Sequence, residues 1–168
     1  TTRFKSSKLM QEDGLTWDIP PDQTYFNELF RISRIQIIWG ANNFELPPTE
    51  YFCIWDKEQT VDNFASAEYA WAGGDIKIPA KVFRYSIHRH NQIEKIHPTQ
   101  KPIQLYKWLL KNYAKPEFKI IDTHLGSGSS AIAAYDFGCD FVGCEIDKEY
   151  FEAAKKRFEV HKMQQKLF

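Results

Sequence analysis

The stretch Lys119-Ile-Ile-Asp-Thr-His-Leu-Gly-Ser-Gly-Ser-Ser130 decides how the rest of the chain is interpreted. Its β-branched pair Ile120-Ile121 is too short for a helix and predicts a buried strand. A loop containing Gly126 and Gly128 follows, and residues 131–137 then have helix-forming composition. Glycines let a backbone approach a ligand closely, and free N–H groups at a helix start attract electronegative atoms. The stretch therefore predicts a strand, a ligand-binding turn and a helix.

A second strand is predicted directly after that helix, over residues 140–147. Its carboxylate, Glu145, follows the glycine turn by about 20 residues, a position that suits two hydrogen bonds from a ribose diol. The G-x-G-x-x-G spacing that holds a pyrophosphate is absent, because Ala131 stands where a third glycine would be. The region is therefore predicted to bind a nucleoside. An αβ turn without a ligand is the alternative, since a glycine pair alone is weak evidence.

Length and composition indicate one globular domain. The chain has 168 residues, of which 43% are hydrophobic and 26% charged. No apolar run approaches about 18 residues and no signal peptide is visible, so we expect no membrane contact. The three cysteines have no C-x-x-C spacing and the histidines have no metal-ligand spacing. We therefore expect buried free thiols in a reducing cytoplasm, and no metal.

The net charge is zero, but the charges are unevenly distributed. Residues 12–76 are rich in acids, whereas residues 77–101 hold six bases against Glu94 alone. A positive surplus in a segment without strong periodicity predicts a surface loop that faces phosphates. A solvated basic loop is the alternative. The candidate contacts for nucleic acid are Lys81, Arg84 and Arg89.

Hydrophobic periodicity predicts the remaining elements. Helices are expected over 23–33, 103–113 and 148–161, and strands over 34–40, 51–56, 68–71 and 82–85. Pro47-Pro48 and Gly73-Gly74 are expected to be breaks, and residues 73–96 to be irregular apart from one short strand. In the last helix the residues predicted to face inward are Phe151, Ala154 and Phe158.

Three motifs in this order resemble those of one family: His97-Pro-Thr-Gln-Lys-Pro102, then residues 122–130, then Gly143-Cys-Glu-Ile-Asp147. The chain resembles amino-group DNA methyltransferases of the class whose catalytic half precedes the target-recognition segment and whose cofactor half comes last. Residues 36–44 and 51–57 also resemble the catalytic half of small phage-type adenine methylases. The resemblance implies one α/β domain over 1–168, with a catalytic half (1–72), a target-recognition segment (73–96) and a cofactor-binding half (97–168). Its fold would be a Rossmann-like methyltransferase sheet with helices on both faces, here without its N-terminal strand or strands.

The resemblance also implies S-adenosylmethionine as cofactor. Asp122 would lie near the methionine amino group, and Glu145 would bind the ribose hydroxyls. Thr99 and Lys101 would close the pocket from the methionine side. The backbone that would line the methionine moiety comprises Thr123, His124, Leu125, Gly126, Ser127 and Gly128. The family has an aromatic residue after the aspartate, where this chain has Thr123-His124.

The chemistry implied is transfer of a methyl group to an exocyclic adenine amine in double-stranded DNA. That amine is a poor nucleophile, so positioning and electrostatics must do most of the work on a base that has left the duplex. In the family an Asp-Pro-Pro-Tyr segment supplies acceptors and a stacking ring. Asp18-Ile-Pro-Pro-Asp22 is interrupted by an isoleucine and is interpreted instead as a helix start. We therefore expect the sequence to begin after the catalytic loop, and no catalytic residue is assigned.

Two further hypotheses stay open at this point. The chain could be a module that binds S-adenosylmethionine or DNA without catalysis, because the segment that would activate the amine is missing. It could also be a dinucleotide-dependent oxidoreductase. The late position of the glycine turn, without G-x-G-x-x-G spacing, and the segment 97–102 favour the methyltransferase. The preference for adenine over cytosine rests on the family likeness alone.

Overall fold

The computed structural model describes residues 20–165, and within them it contains five α-helices and six β-strands. The helices are α1 (Gln23–Ile32), α2 (Ile87–Asn91), α3 (Ile103–Tyr113), α4 (Ser129–Phe137) and α5 (Lys148–Gln165). The strands are β1 (Ile35–Trp39), β2 (Tyr51–Asp56), β3 (Ala67–Gly74), β4 (Lys81–Arg84), β5 (Lys119–Asp122) and β6 (Asp140–Gly143). The α/β class is confirmed. The segment before Pro20, on which the expectation of a missing catalytic loop rests, lies outside the described residues.

The described residues form two compact units that divide between Ile93 and Glu94. The first unit contains a four-stranded sheet in the order β1-β3-β2-β4. β3 is antiparallel to both β1 and β2, while β4 runs parallel to β2. Trp39 pairs with Ala70, and Asp56 pairs with Ala67 on one side and Arg84 on the other. The carboxyl ends of β1, β2 and β4 consequently meet at one edge of this sheet.

Helix α1 begins where the proline pair predicts a helix start. The side chain of Asp22 caps it by accepting a hydrogen bond of 3.0 Å from the N–H of Tyr25. Phe26, which is 3% exposed, anchors the helix against Phe44 with ring centroids 5.1 Å apart. The burial of such a ring contributes about 1.5–3 kcal/mol.

The break expected at Gly73-Gly74 falls at Gly74, where β3 ends, whereas Gly73 lies inside the strand. The indole of Trp71 covers Gly73: a Cβ built there would lie 2.0 Å from the ring. The indole N–H of Trp71 donates to the carbonyl of Pro47 at 2.7 Å, which fixes the ring. A glycine in this strand is therefore a packing requirement rather than a turn signal.

The prediction that residues 73–96 are irregular apart from one strand is wrong, since helix α2 follows β4. Trp55 holds this region to β2 by donating from its indole N–H to the carbonyl of Tyr85 at 2.9 Å. The N–H of Ile87 donates to the carbonyl of Lys57 at 2.7 Å. His90, 1% exposed, packs edge-on against Trp55. Helix α2 has only five residues, too few for its apolar residues to repeat with helical spacing, so the sequence pattern did not indicate it.

The second unit contains a parallel pair of strands, β5 and β6, in register from Lys119↔Asp140 to Asp122↔Gly143. Helices α3 and α4 pack together through Leu110, Ala133 and Ala134. The bounds predicted for α3 are confirmed, as is its apolar face, which buries Leu105, Leu109, Leu110 and Tyr113.

Three predictions about burial are wrong. Ile121 of β5 is 42% exposed rather than buried, because side chains alternate along a strand and it is Ile120, on the other face, that packs against the helices. In α5 the buried face carries Tyr150 and Ala154, while Phe151 is 36% exposed. Of the free cysteines only Cys53 is buried, and Cys144 is exposed.

Three helices of the second unit meet at Asp136 of α4. Its carboxylate lies 2.6 Å from the ammonium nitrogen of Lys107 in α3 and 2.7 Å from Nε2 of His161 in α5. Burial of this carboxyl raises its pKa, but the hydrogen bonds from Lys107 and His161 outweigh that effect and lower the pKa below 3.8. The carboxylate of Asp136 therefore links α3, α4 and α5.

None of the helices described over 20–165 is long and apolar enough to cross a membrane.

Candidate functional site

The carboxyl end of β5 continues into a turn that the neighbouring strand holds in place. Cys144 donates its N–H to the carbonyl of Asp122 at 2.8 Å, and the carbonyl of Cys144 accepts from the N–H of Leu125 at 2.8 Å. Parallel pairing thus extends past the strand ends into the loop. β6 itself ends at Gly143, four residues before the predicted end, so Glu145 lies beyond the strand rather than within it.

Asp122 ties both ends of this turn with one carboxylate. Its Oδ1 accepts from the N–H of His124 at 3.1 Å, and its Oδ2 accepts from the hydroxyl of Ser130 at 2.5 Å. Thr123 and His124 lie close together, with Oγ1 and Nδ1 3.1 Å apart. The turn is therefore held by the aspartate that the family resemblance places beside the methionine amino group.

Gly126 and Gly128 both adopt the left-handed conformation, with φ of 54° and 73°. A Cβ at Gly126 would lie 3.3 Å from Nδ1 of His97, and a Cβ at Gly128 would lie 3.2 Å from Cβ of Ala154. The two glycines are needed for their backbone conformation and for close packing behind the turn.

Glu145 reaches the turn from the segment after β6. Its Oε2 accepts from the N–H of Gly126 at 2.8 Å, and its Oε1 accepts from the N–H of Asp147 at 3.0 Å. Each carboxylate oxygen has a second lone pair, so the group can still accept from a ligand. Next to it Ile146 is 87% exposed, a large aliphatic side chain beside a polar acceptor.

His97 belongs to this site, although sequence reasoning gave it no role. It is 7% exposed, lies beside Gly126 and packs against the ring of Tyr150 at a centroid distance of 4.4 Å. Its Nδ1 accepts from the N–H of Thr99 at 3.2 Å, which makes Nε2 the protonated nitrogen of the neutral ring. Burial lowers the pKa of His97, and the positive charge of Lys101 acts in the same direction. The segment 97–102 is thereby joined to the glycine turn.

Arg157 of α5 is the second residue of the site that sequence reasoning missed. Its Nη1 donates to the carbonyl of Ser127 at 2.8 Å, to the hydroxyl of Ser127 at 3.2 Å and to the hydroxyl of Ser129 at 2.9 Å. Burial lowers the pKa of this guanidinium from its usual range. No pattern in the sequence distinguishes Arg157 from the other bases of a strongly charged helix.

These groups can bind a nucleoside with a charged substituent. Gly128 gives α4 no side-chain cap, so the N–H groups of its first turn remain for a ligand. Glu145 supplies acceptors on the other side, and Ile146 supplies apolar surface. Within residues 20–165 no three His, Cys, Asp or Glu side chains come together as a metal site.

The basic candidates belong to the first unit, whereas the glycine turn belongs to the second. Lys81 begins β4 and Arg84 ends it, and their odd spacing puts the two side chains on opposite faces of the strand. Arg84 lies 3.4 Å from the carboxylate of Asp56 with its side chain 68% exposed. The guanidinium of Arg89 in α2 lies 5.9 Å from the ring centre of Tyr85. Arg84 therefore lies at the sheet edge where β2 and β4 end, and Arg89 lies in the helix that comes after this edge in the chain.

Comparison with known proteins places this arrangement in a family. The chain is 38% identical over 148 residues to the type II methyltransferase M2.DpnII of Streptococcus pneumoniae, covering 88% of this chain and 50% of that protein. It is 27% identical over 160 residues to the type II methyltransferase M.BglII of Bacillus subtilis, covering 90% and 43%. The chain spans about half the length of these curated relatives.

Among solved structures, the cytosine-N4-specific PvuII DNA methyltransferase matches with a TM-score of 0.51 and 16% identity, covering 85% of this chain and 60% of that chain. This likeness shows a shared Rossmann-like methyltransferase fold. The DNA methylase family model matches residues 21–156. The chain therefore belongs to the family of DNA amino-methyltransferases that act on adenine N6 or cytosine N4, whose methyl donor is S-adenosylmethionine.

Proposed function

We propose that this chain carries the cofactor- and DNA-binding parts of a DNA methyltransferase that methylates N6 of a flipped-out adenine. The observation that supports this most directly is the contact between Glu145 and the N–H of Gly126. This contact supports a role for Glu145 in ribose binding, because the carboxylate lies at the glycine turn in a chain of the DNA methylase family.

In this proposal S-adenosylmethionine supplies an electrophilic methyl group on a sulfonium. Glu145 accepts hydrogen bonds from the ribose through its remaining lone pairs, and Ile146 packs against the purine. Asp122 attracts the methionine amino group, while the first-turn N–H groups of α4 attract its carboxylate. Thr99 and Lys101 would close the pocket on the methionine side. Their segment contacts the turn through His97, which lies beside Gly126. The backbone from Thr123 to Gly128 would line the methionine moiety.

Double-stranded DNA is the proposed substrate, bound along the sheet edge where β2 and β4 end. Arg84 and Arg89 are exposed there and would contact phosphates. Lys81, on the opposite face of β4 and half-buried, would contribute least.

Methylation of duplex DNA tests the proposal. Incubation of the methyltransferase that contains this chain with methyl-labelled S-adenosylmethionine and unmethylated duplex DNA should yield N6-methyladenine after hydrolysis to nucleosides. Label in N4-methylcytosine would reject the assignment of adenine but keep the family chemistry. Binding of S-adenosylhomocysteine in calorimetry, with no transfer to either base, would instead support a binding module without catalysis. Stabilisation by NAD and none by S-adenosylhomocysteine would reject the methyltransferase.

A further inference from the structure

Three hydrogen bonds converge on one nitrogen of Arg157, which lies behind the proposed cofactor turn. Nη1 contacts the carbonyl and the hydroxyl of Ser127 and the hydroxyl of Ser129, with all three distances between 2.8 and 3.2 Å. Ser127 is 4% exposed and Ser129 is 2% exposed. The two hydroxyls also lie 3.1 Å from each other. Arg157 therefore contacts the residues on both sides of Gly128.

The partners of Arg157 are unusual for a buried cation, because all of them are neutral. Within the described residues no carboxylate lies within salt-bridge distance of its guanidinium, which is consistent with burial alone lowering its pKa. A half-buried charge with neutral acceptors costs desolvation free energy that no ion pair offsets. Helix α5 offers neighbouring bases, Lys155 and Lys156, that remain exposed instead.

We propose that Arg157 is a positioning residue for the cofactor turn. Its hydrogen bonds fix Ser127 and Ser129, and so set the direction of the N–H groups at the start of α4. Its charge also makes that helix start more positive, which favours an anionic group in front of the turn. Glu145 holds the same turn from the other side through Gly126. The inference rests on the proposed function, because it takes the ligand of this turn to be the cofactor.

The test is calorimetric titration of S-adenosylhomocysteine into the wild-type chain and into Arg157→Gln, Arg157→Lys and Lys156→Gln. The Arg157→Gln variant should bind about tenfold more weakly, equivalent to about 1.4 kcal/mol. The Arg157→Lys variant should keep most of the affinity, since it keeps the positive charge and its ammonium offers three donors from one nitrogen. The Lys156→Gln variant removes the same charge from an exposed neighbouring position and should bind as wild type does.

The outcomes separate this inference from the proposed function. A wild-type chain that does not bind S-adenosylhomocysteine contradicts the proposed function. A wild-type chain that binds, with Arg157→Gln binding equally well, contradicts the role of Arg157. Equal losses in the Gln and Lys variants also overturn it, because a purely structural arginine gives that result. Should Arg157→Gln not fold, Ser129→Ala takes its place: it removes one acceptor and should weaken binding severalfold, and unchanged binding overturns the inference.

Discussion

The N–H of Gly126 donates a hydrogen bond of 2.8 Å to the carboxylate of Glu145. This bond joins the turn after β5 to the segment after β6, and it does so with the side chain proposed to bind the ribose. The acid that is proposed to bind the ligand therefore also holds the turn in shape.

Replacement of Glu145 by glutamine should weaken S-adenosylhomocysteine binding by tenfold or more. A hydrogen bond to a charged group contributes about 1.5–3 kcal/mol, and the variant keeps only one of the two oxygens that accept from the N–H groups of Gly126 and Asp147. Calorimetric titration measures the loss. The control is Glu152→Gln, on the exposed surface of α5. Unchanged affinity in Glu145→Gln would remove this residue from the site.

Alanine at Gly126 should cost both stability and binding, whereas alanine at Gly138 should cost stability alone. Both glycines have positive φ, 54° and 83°, so each substitution carries a strain of about 1–2 kcal/mol. Only at Gly126 would the new methyl meet another residue, the ring of His97 at 3.3 Å, and nothing lies within 4 Å at Gly138. Urea denaturation and titration with S-adenosylhomocysteine give the two readouts. Equal ligand affinity in the two variants would contradict the placement of His97 against the turn.

The Asp136→Asn variant should be less stable by about 1–3 kcal/mol, because it leaves Lys107 and His161 without their shared anion. In the wild type the pKa of Asp136 is lowered by folding. The stability that its carboxylate contributes is therefore present above pH 3.8 and is lost as the pH falls through the lower pKa of the folded chain. Denaturation at neutral pH measures the difference. Glu159→Gln breaks the exposed pair with Lys162 and should cost under about 1 kcal/mol. If both variants lose the same free energy, the three-helix contact is not a stabilising one.

The chain should lose stability as the pH falls below 6.5, and His97 should account for part of the loss. Burial lowers the pKa of His97, although the charges of Glu145 and Asp147 favour its protonated form. Below pH 6.5 the unfolded chain therefore binds a proton that the folded chain does not, and acid favours unfolding. In His97→Gln the free energy of unfolding should fall less steeply with acid. The exposed His88→Gln serves as the control, and identical slopes in wild type and His97→Gln would contradict the prediction.

Neutralising Arg84 or Arg89 with glutamine should weaken DNA binding and flatten its dependence on salt. Removal of one side chain that neutralises a phosphate should reduce the slope of log affinity against log salt by about 0.9. Fluorescence anisotropy of a labelled duplex at several salt concentrations measures it. Lys81→Gln should have the smallest effect of the three, and Lys111→Gln on the exposed face of α3 none. An unaltered slope in all variants would dismiss this edge as a DNA surface.

Much of the local structure was predictable because local signals agreed with tertiary packing. Helix α3 repeats its apolar residues with helical spacing, and β2 is bounded by proline and charge, so their bounds agree with the predictions. The glycine turn and Glu145 were also recognisable from order and spacing. Whether Lys81, Arg84 and Arg89 touch DNA stays a prediction.

The parts that could not be predicted depend on side chains whose partners are remote in sequence. The inward face of α5 carries Tyr150 and Ala154, which are buried, and Arg157 and His161, which are half-buried. The apolar pattern predicted Phe151 to face inward and gave no role to Arg157 or His161. Arg157 reaches Ser127 and Ser129, and His161 reaches Asp136, and no local signal in the sequence encodes such pairings.

The double attachment of Asp122 has a thermodynamic consequence for ligand capture. One carboxylate accepts from the backbone at His124 and from the hydroxyl of Ser130 at the helix start, which restricts the conformations open to the loop. A loop whose conformations are already restricted loses little conformational entropy when a ligand binds. The entropic cost of ligand binding should consequently be small.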